Sequence, residues 1–126
     1  MKIRFVLFSV VLFLFSLIGC QKQEEIAKLS KLSSEEVIKI ITSYISSKIG
    51  DEGSFEVEDT SENRTRNLQF DFVHESVNET EDARYYACVD FTEGEVRLDL
   101  DLYVSKEDGE HKVSEVVIHK VNGESR

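Results

Sequence analysis

Proline is absent from all 126 residues, glycine occurs only six times, and cysteine occurs twice, at Cys20 and Cys88. A chain without proline reads as a meander joined by tight turns and not as a loop-rich scaffold. The scattered glycines form no glycine-rich phosphate loop and no Gly-x-Ser-x-Gly elbow, and no Ser-His-Asp pattern accompanies them. Histidine occurs three times, as His74, His111 and His119. These fall on different predicted strands without a spacing such as His-x3-His, so the sequence gives no reason to expect a metal or cofactor. Basic residues are also in the minority: 15 Lys and Arg face 25 Asp and Glu, a formal net charge of −10. That balance repels nucleic acid and anionic lipid surfaces and attracts cations or a basic partner.

Long apolar runs are missing too, with one exception at the start. Lys2 and Arg4 precede Phe5-Val6-Leu7-Phe8-Ser9-Val10-Val11-Leu12-Phe13-Leu14-Phe15-Ser16, and small residues then lead to a cysteine. The stretch between Arg4 and Cys20 falls short of the ~20 residues a membrane-spanning helix needs. Its positive n-region, apolar h-region and small-residue end are those of a secretory leader. The four residues Leu17-Ile18-Gly19-Cys20 resemble the lipobox of bacterial lipoproteins. The resemblance implies that residues 1–19 are removed and that Cys20 becomes a lipidated first residue, holding the protein to a membrane through diacylglyceryl and fatty-acyl (palmitate-type) chains. One chain gives only marginal, reversible membrane binding, and two or more anchor stably. Gln21, and not an aspartate, follows the cysteine. By the sorting the resemblance implies, this favours the outer membrane in a cell that has one. The leader carries two positive charges and no negative one, so residues 20–126 carry −12. With Cys20 lipidated, Cys88 has no intramolecular partner for a disulfide.

Three segments follow from composition: a leader over 1–19, a polar tether over 20–32, and one folded domain over 33–126. Ser33 followed three residues later by Glu36 is a capping-box signature. Val37, Ile40, Ile41, Tyr44, Ile45 and Ile49 repeat at helical spacing, and the pattern predicts a helix over 34–49, stopped by Gly50. The remainder reads as five antiparallel strands. Phe55 and Val57 alternate with acids, then Leu68, Phe70 and Phe72 alternate with Gln69 and Asp71. After an acidic loop over 75–82 come Tyr85, Ala87, Val89 and Phe91, then Val96, Leu98, Leu100, Leu102 and Val104. A last strand over 112–121 needs a bulge near Ser114–Glu115 to bring Val113 into phase with Val116 and Ile118. Asp108-Gly109 and Glu93-Gly94 are the hairpin turns. The expected fold is α+β, one N-terminal helix on a five-stranded antiparallel meander, and this order resembles cystatin-like folds in topology alone. No cystatin inhibitory motif is present, and fold by itself assigns no function.

A Glu93-Gly94 turn sets a register in which Phe91 faces Val96, Val89 faces Leu98, Ala87 faces Leu100 and Tyr85 faces Leu102. On the outer face it expects Asp90 beside Arg97 and cross-strand rows of Asp71, Tyr86 and Asp101 and of Gln69, Cys88 and Asp99, flanked by Arg84 and Tyr103. Asp71 and Asp101 would stand ~10 Å apart, too far to share one metal ion. Cys88, with Asp99 and Gln69 as neighbours, lacks the histidine or positive field of a nucleophile and reads as a small residue buried beneath a dimer partner or the tether. Asp108-Gly109-Glu110 lacks the alternating acids of a calcium loop. The sequence therefore points to a non-enzymatic interaction module of the cell envelope. Its expected binding face is Asp71, Arg84, Tyr86, Asp99, Asp101 and Tyr103, offered to an envelope protein or peptide or to a second copy of the chain. The competing readings are an envelope hydrolase using Asp71, Asp99 and Asp101 in acid–base work, and an accessory subunit joined through the last strand's edge.

Overall fold

Residues 31–126 are described in the computed structural model of the chain, and the leader, Cys20 and most of the tether lie outside them. No helix among the described residues is long and apolar enough to cross a membrane. The helix α1 (Ser34–Lys48) begins at a capping box. The Ser33 hydroxyl accepts from the Glu36 N–H, and the Glu36 carboxylate accepts from the Ser33 N–H at 2.7 Å. Such caps contribute about 1 kcal/mol. That backbone hydrogen bond, followed by the Ser33 hydroxyl, holds the Glu36 carboxyl below its ordinary range. Val37, Ile41 and Ile45 are fully buried, one face of the helix at i, i+4, i+8. Burying each is worth about 1.5–3 kcal/mol against leaving it in water.

What they bury against is a six-stranded antiparallel sheet in simple chain order: β1 (Phe55–Asp59), β2 (Arg64–Glu79), β3 (Tyr85–Glu93), β4 (Val96–Glu107), β5 (Glu110–Val121) and β6 (Glu124–Ser125). The core is the face expected from alternation, with Tyr85, Ala87, Val89 and Phe91 on β3 and Leu98, Leu100, Leu102 and Val104 on β4. Phe91 is an aromatic hub, stacked on Phe55 at 5.1 Å and met edge-on by Phe70 at 5.9 Å. Tyr44 of the helix continues the chain against Phe55 at 6.2 Å.

Four expectations need correction. The sheet has six strands, because Asn122-Gly123 turns the chain back for one short pairing of Val121 with Glu124 and Lys120 with Ser125. Both turn residues have positive φ, 50° and 80°, the Asn-Gly preference of a type I′ hairpin, but two residues of strand leave no alternation to read. The β3–β4 turn is Gly94-Glu95, with Glu93 opposite Val96, so the register moves by two. Gly94 takes φ 61° at the first turn position, where a II′ turn requires glycine. A shift of two keeps each side chain on its face but changes every partner. Next, β2 runs through most of the expected acidic loop, and the connection shrinks to Thr80–Arg84, where the Thr80 N–H donates to the Arg84 carbonyl at 2.8 Å. Finally, β2 carries register breaks between Phe70 and Phe72 and between Val73 and Val77. The first inverts Phe72, which stands opposite Asp90 and is 47% exposed instead of joining Leu68 in the core. The bulge expected on β5 is present: Tyr103 faces Glu115 while Val104 faces Val113, leaving Ser114 extra.

Candidate functional site

The face of the sheet opposite the helix carries the outward residues of β2–β5, and the bulges decide which of them meet. Tyr86 lies opposite Tyr103, not Asp101, and the two rings stack at 5.1 Å. Arg84 lies over the Tyr103 ring at 4.7 Å and pairs with Asp82 and Glu115, both at 2.9 Å. Arg84, Tyr86 and Tyr103 thus form one aromatic-cationic corner. Burial, followed by the Asp101 charge, raises the Tyr103 hydroxyl above its ordinary pKa.

Asp71 does not join them. It sits exposed at the first register break of β2 and Tyr86 pairs with Asn78, so no Asp71–Tyr86–Asp101 row forms, and the paired-carboxylate set loses a member. The row of Gln69, Cys88 and Asp99 is also broken: Gln69 faces Thr92, Cys88 faces Asp101, and Asp99 faces Asp90. Arg97 faces Thr92 and still reaches Asp90 diagonally, Nη2 to Oδ2 at 3.3 Å.

The new register brings together a group the sequence kept apart. Asp90 is only 5% exposed, and its Oδ1 lies 2.8 Å from His74 Nε2. Donor atoms of His74, Cys88 and Asp90 all lie within 4.8 Å of one another. The expectation that Cys88 has no histidine nearby is therefore overturned, and the cause is the first break in β2, after which Phe72 meets Asp90, Val73 meets Val89 and His74 follows on the outer face beside Cys88. Cys88 is half-buried among the described residues. Burial first, then the charges of Asp101, Asp99 and Asp90, push its thiol up to about 11, so at neutral pH it is a thiol and a poor nucleophile. Asp101 lies opposite Cys88 and is itself met by His119 Nδ1 at 3.2 Å. Asp99 faces Lys120 on β5. Phe72 caps the group, its ring 4.8 Å from that of His74.

A second charged cluster lies at the turn end of the sheet and was not expected at all. Arg66 is 2% exposed and reaches Asp59 at 2.7 Å, Glu62 at 2.9 Å and Glu93 at 2.8 Å. Arg64 adds a 2.7 Å contact to Glu93, and Arg126 one of 2.7 Å to Glu62. Burial raises the Asp59 carboxyl, but the Arg66 hydrogen bond, the Glu62 N–H and the two arginine charges outweigh it, so Asp59 titrates below its ordinary value. The one sequence sign was Arg66 standing in phase with Leu68 on β2.

The three residues of the outer group come from two strands, and none lies close to another in a recognisable motif. No family model, no characterised protein and no solved structure matches the chain significantly.

Proposed function

We propose that the protein is a lipid-anchored module of the bacterial cell envelope that binds a partner through the outer face of its sheet and performs no catalysis of its own. The leader and Leu17-Ile18-Gly19-Cys20 support the anchor, with 1–19 removed, Cys20 lipidated and 20–32 acting as a tether to the domain over 33–126. The helix-then-meander order favours the cystatin-like reading of the topology.

The observation that carries the binding reading is the makeup of the outer face. Tyr86 and Tyr103 stack beneath Arg84, Phe72 stands 47% exposed, and Asp99 and Asp101 lie half-buried between them. Aromatic and arginine side chains concentrate at interface cores, and rigid stacked rings give up little conformational freedom on binding. The acids between them select a basic surface and repel anionic ones. A basic envelope protein or peptide is the partner this chemistry fits.

Two measurements test the reading. Labelled palmitate should enter the full chain and not a Cys20→Ala variant, which should leave the membrane fraction; equal labelling of both would remove the anchor. A photo-crosslinking residue placed at Tyr103 in the living cell should trap one partner, and D99K/D101K should abolish the product. An unchanged product in the double variant would overturn the proposed face.

A further inference from the structure

We propose that His74, Cys88 and Asp90 form a binding site for a zinc-type divalent transition-metal ion on the outer face of the sheet. The proposal needs no partner and no lipid anchor, and it stands apart from the interaction reading. Its basis is one imidazole nitrogen, one sulfur and one carboxylate oxygen gathered within 4.8 Å. Around an ion with bonds of ~2.0–2.3 Å in tetrahedral geometry, such donors stand roughly 3.3–3.7 Å apart. Closing the group takes movements of about 1 Å or less per ligand.

The fold supplies that movement on one side only. Cys88 and Asp90 lie on β3, in an unbroken ladder with β4, two residues apart on the same face. His74 lies in the stretch of β2 between Val73 and Val77 where the pairing breaks, so its backbone is not held by the register. Two fixed ligands and one adjustable one allow the site to close on an ion without disturbing the core. The Phe72 ring lies 4.8 Å from the His74 ring, tilted by 33°.

The surroundings match the outer shell of a metal site. Arg97 holds the second oxygen of Asp90 at 3.3 Å, leaving Oδ1 directed at His74. Asp101 stands opposite Cys88 on β4 and is held by His119 Nδ1 at 3.2 Å. Outer-shell partners of this kind orient ligands and tune their basicity. A cation there also meets the charges of Asp90, Asp99 and Asp101 around Cys88, with Arg97 on Asp90 68% exposed, Lys120 opposite Asp99 and His119 on Asp101. The donor set decides which ion: sulfur and imidazole favour zinc, cobalt, nickel or copper over calcium and magnesium, which take oxygen. Three protein ligands leave a fourth position for water or a ligand from a partner. Coordination replaces the thiol proton, which leaves to solvent, and the hydrogen bond between His74 and Asp90; no electron is transferred.

Cobalt(II) titrated into the reduced full chain in detergent micelles tests the site, because a thiolate–cobalt bond gives a charge-transfer band in the near ultraviolet. The band should saturate at one equivalent and disappear on adding zinc. C88S should abolish it, and H74A and D90N should each weaken cobalt binding about tenfold or more. C20S and His111→Ala should leave it unchanged. Circular dichroism establishes that each variant is folded, and H74A, at a half-exposed position, provides the arm that keeps the core intact. A folded wild-type chain without the band, a band that survives C88S, or H74A binding cobalt as tightly as wild type would each overturn the proposal.

Discussion

Two charged clusters sit on one sheet, and they are built to opposite rules. At the turn end, Arg64, Arg66 and Arg126 meet Asp59, Glu62 and Glu93, so positive and negative groups are equal and each acid has an arginine. On the outer face Asp90, Asp99 and Asp101 gather around a neutral thiol with one exposed arginine, and Lys120 stands opposite Asp99 on β5. The first arrangement satisfies itself, and among the described residues no buried side-chain nitrogen or oxygen lacks a partner. The second leaves negative potential and mixed donor atoms facing outward. A balanced cluster holds a fold in place; an unbalanced one has capacity for something else.

The difference predicts opposite responses to substitution. The largest effect belongs to Arg66. R66L strips the buried guanidinium that holds Asp59 at 2.7 Å, leaving that buried carboxylate with Arg126 only at 4.0 Å, and should cost about 3–5 kcal/mol in urea unfolding. A cost below ~1 kcal/mol would mean the cluster is no structural centre. Acid comes next. The folded-state pKa of Asp59 lies below its unfolded value, so its contribution is fully present above about pH 4 and is lost as pH falls through the folded value. D59N should flatten that acid limb in a pH series of unfolding midpoints while lowering stability at neutral pH. Turn geometry gives a smaller effect. Gly94→Ala forces a left-handed residue at the II′ position and should cost about 1 kcal/mol. The outer cluster should give the smallest change: H74A, losing one half-exposed hydrogen bond, should stay within ~1 kcal/mol of wild type even as cobalt binding falls. If R66L were mild and H74A severe, the roles assigned to the two clusters would be reversed.

Local signals were strong where one rule decided the outcome. The capping box at Ser33 and Glu36, the stripe of Val37, Ile41 and Ile45, the alternation of β4 and the Asp108-Gly109 turn each depend on neighbours a few residues away. The bulge at Ser114 was legible for the same reason, because Val113 and Val116 cannot share a face without it. Arg84, Tyr86, Asp99, Asp101 and Tyr103 were all placed on the outer face because a register shift of two preserves facing.

The rest was decided across strands. Whether glycine takes the first or second turn position is invisible in Glu93-Gly94-Glu95, yet it sets which residue of β4 meets each residue of β3. The first break in β2 has no local mark, yet it turned Phe72 outward and set His74 beside Cys88 and Asp90, while Asp71 misses its row because Tyr86 pairs with Asn78. Arg66 looked like an ordinary charge until the turn end of the sheet folded three acids around it. The sequence by itself determined a capped amphipathic helix and a one-sided antiparallel sheet, because periodicity and capping are properties of adjacent residues. Tertiary structure alone decided the partners of the outer face and of Arg66, because contacts between strands depend on turn geometry and bulges that no single segment records.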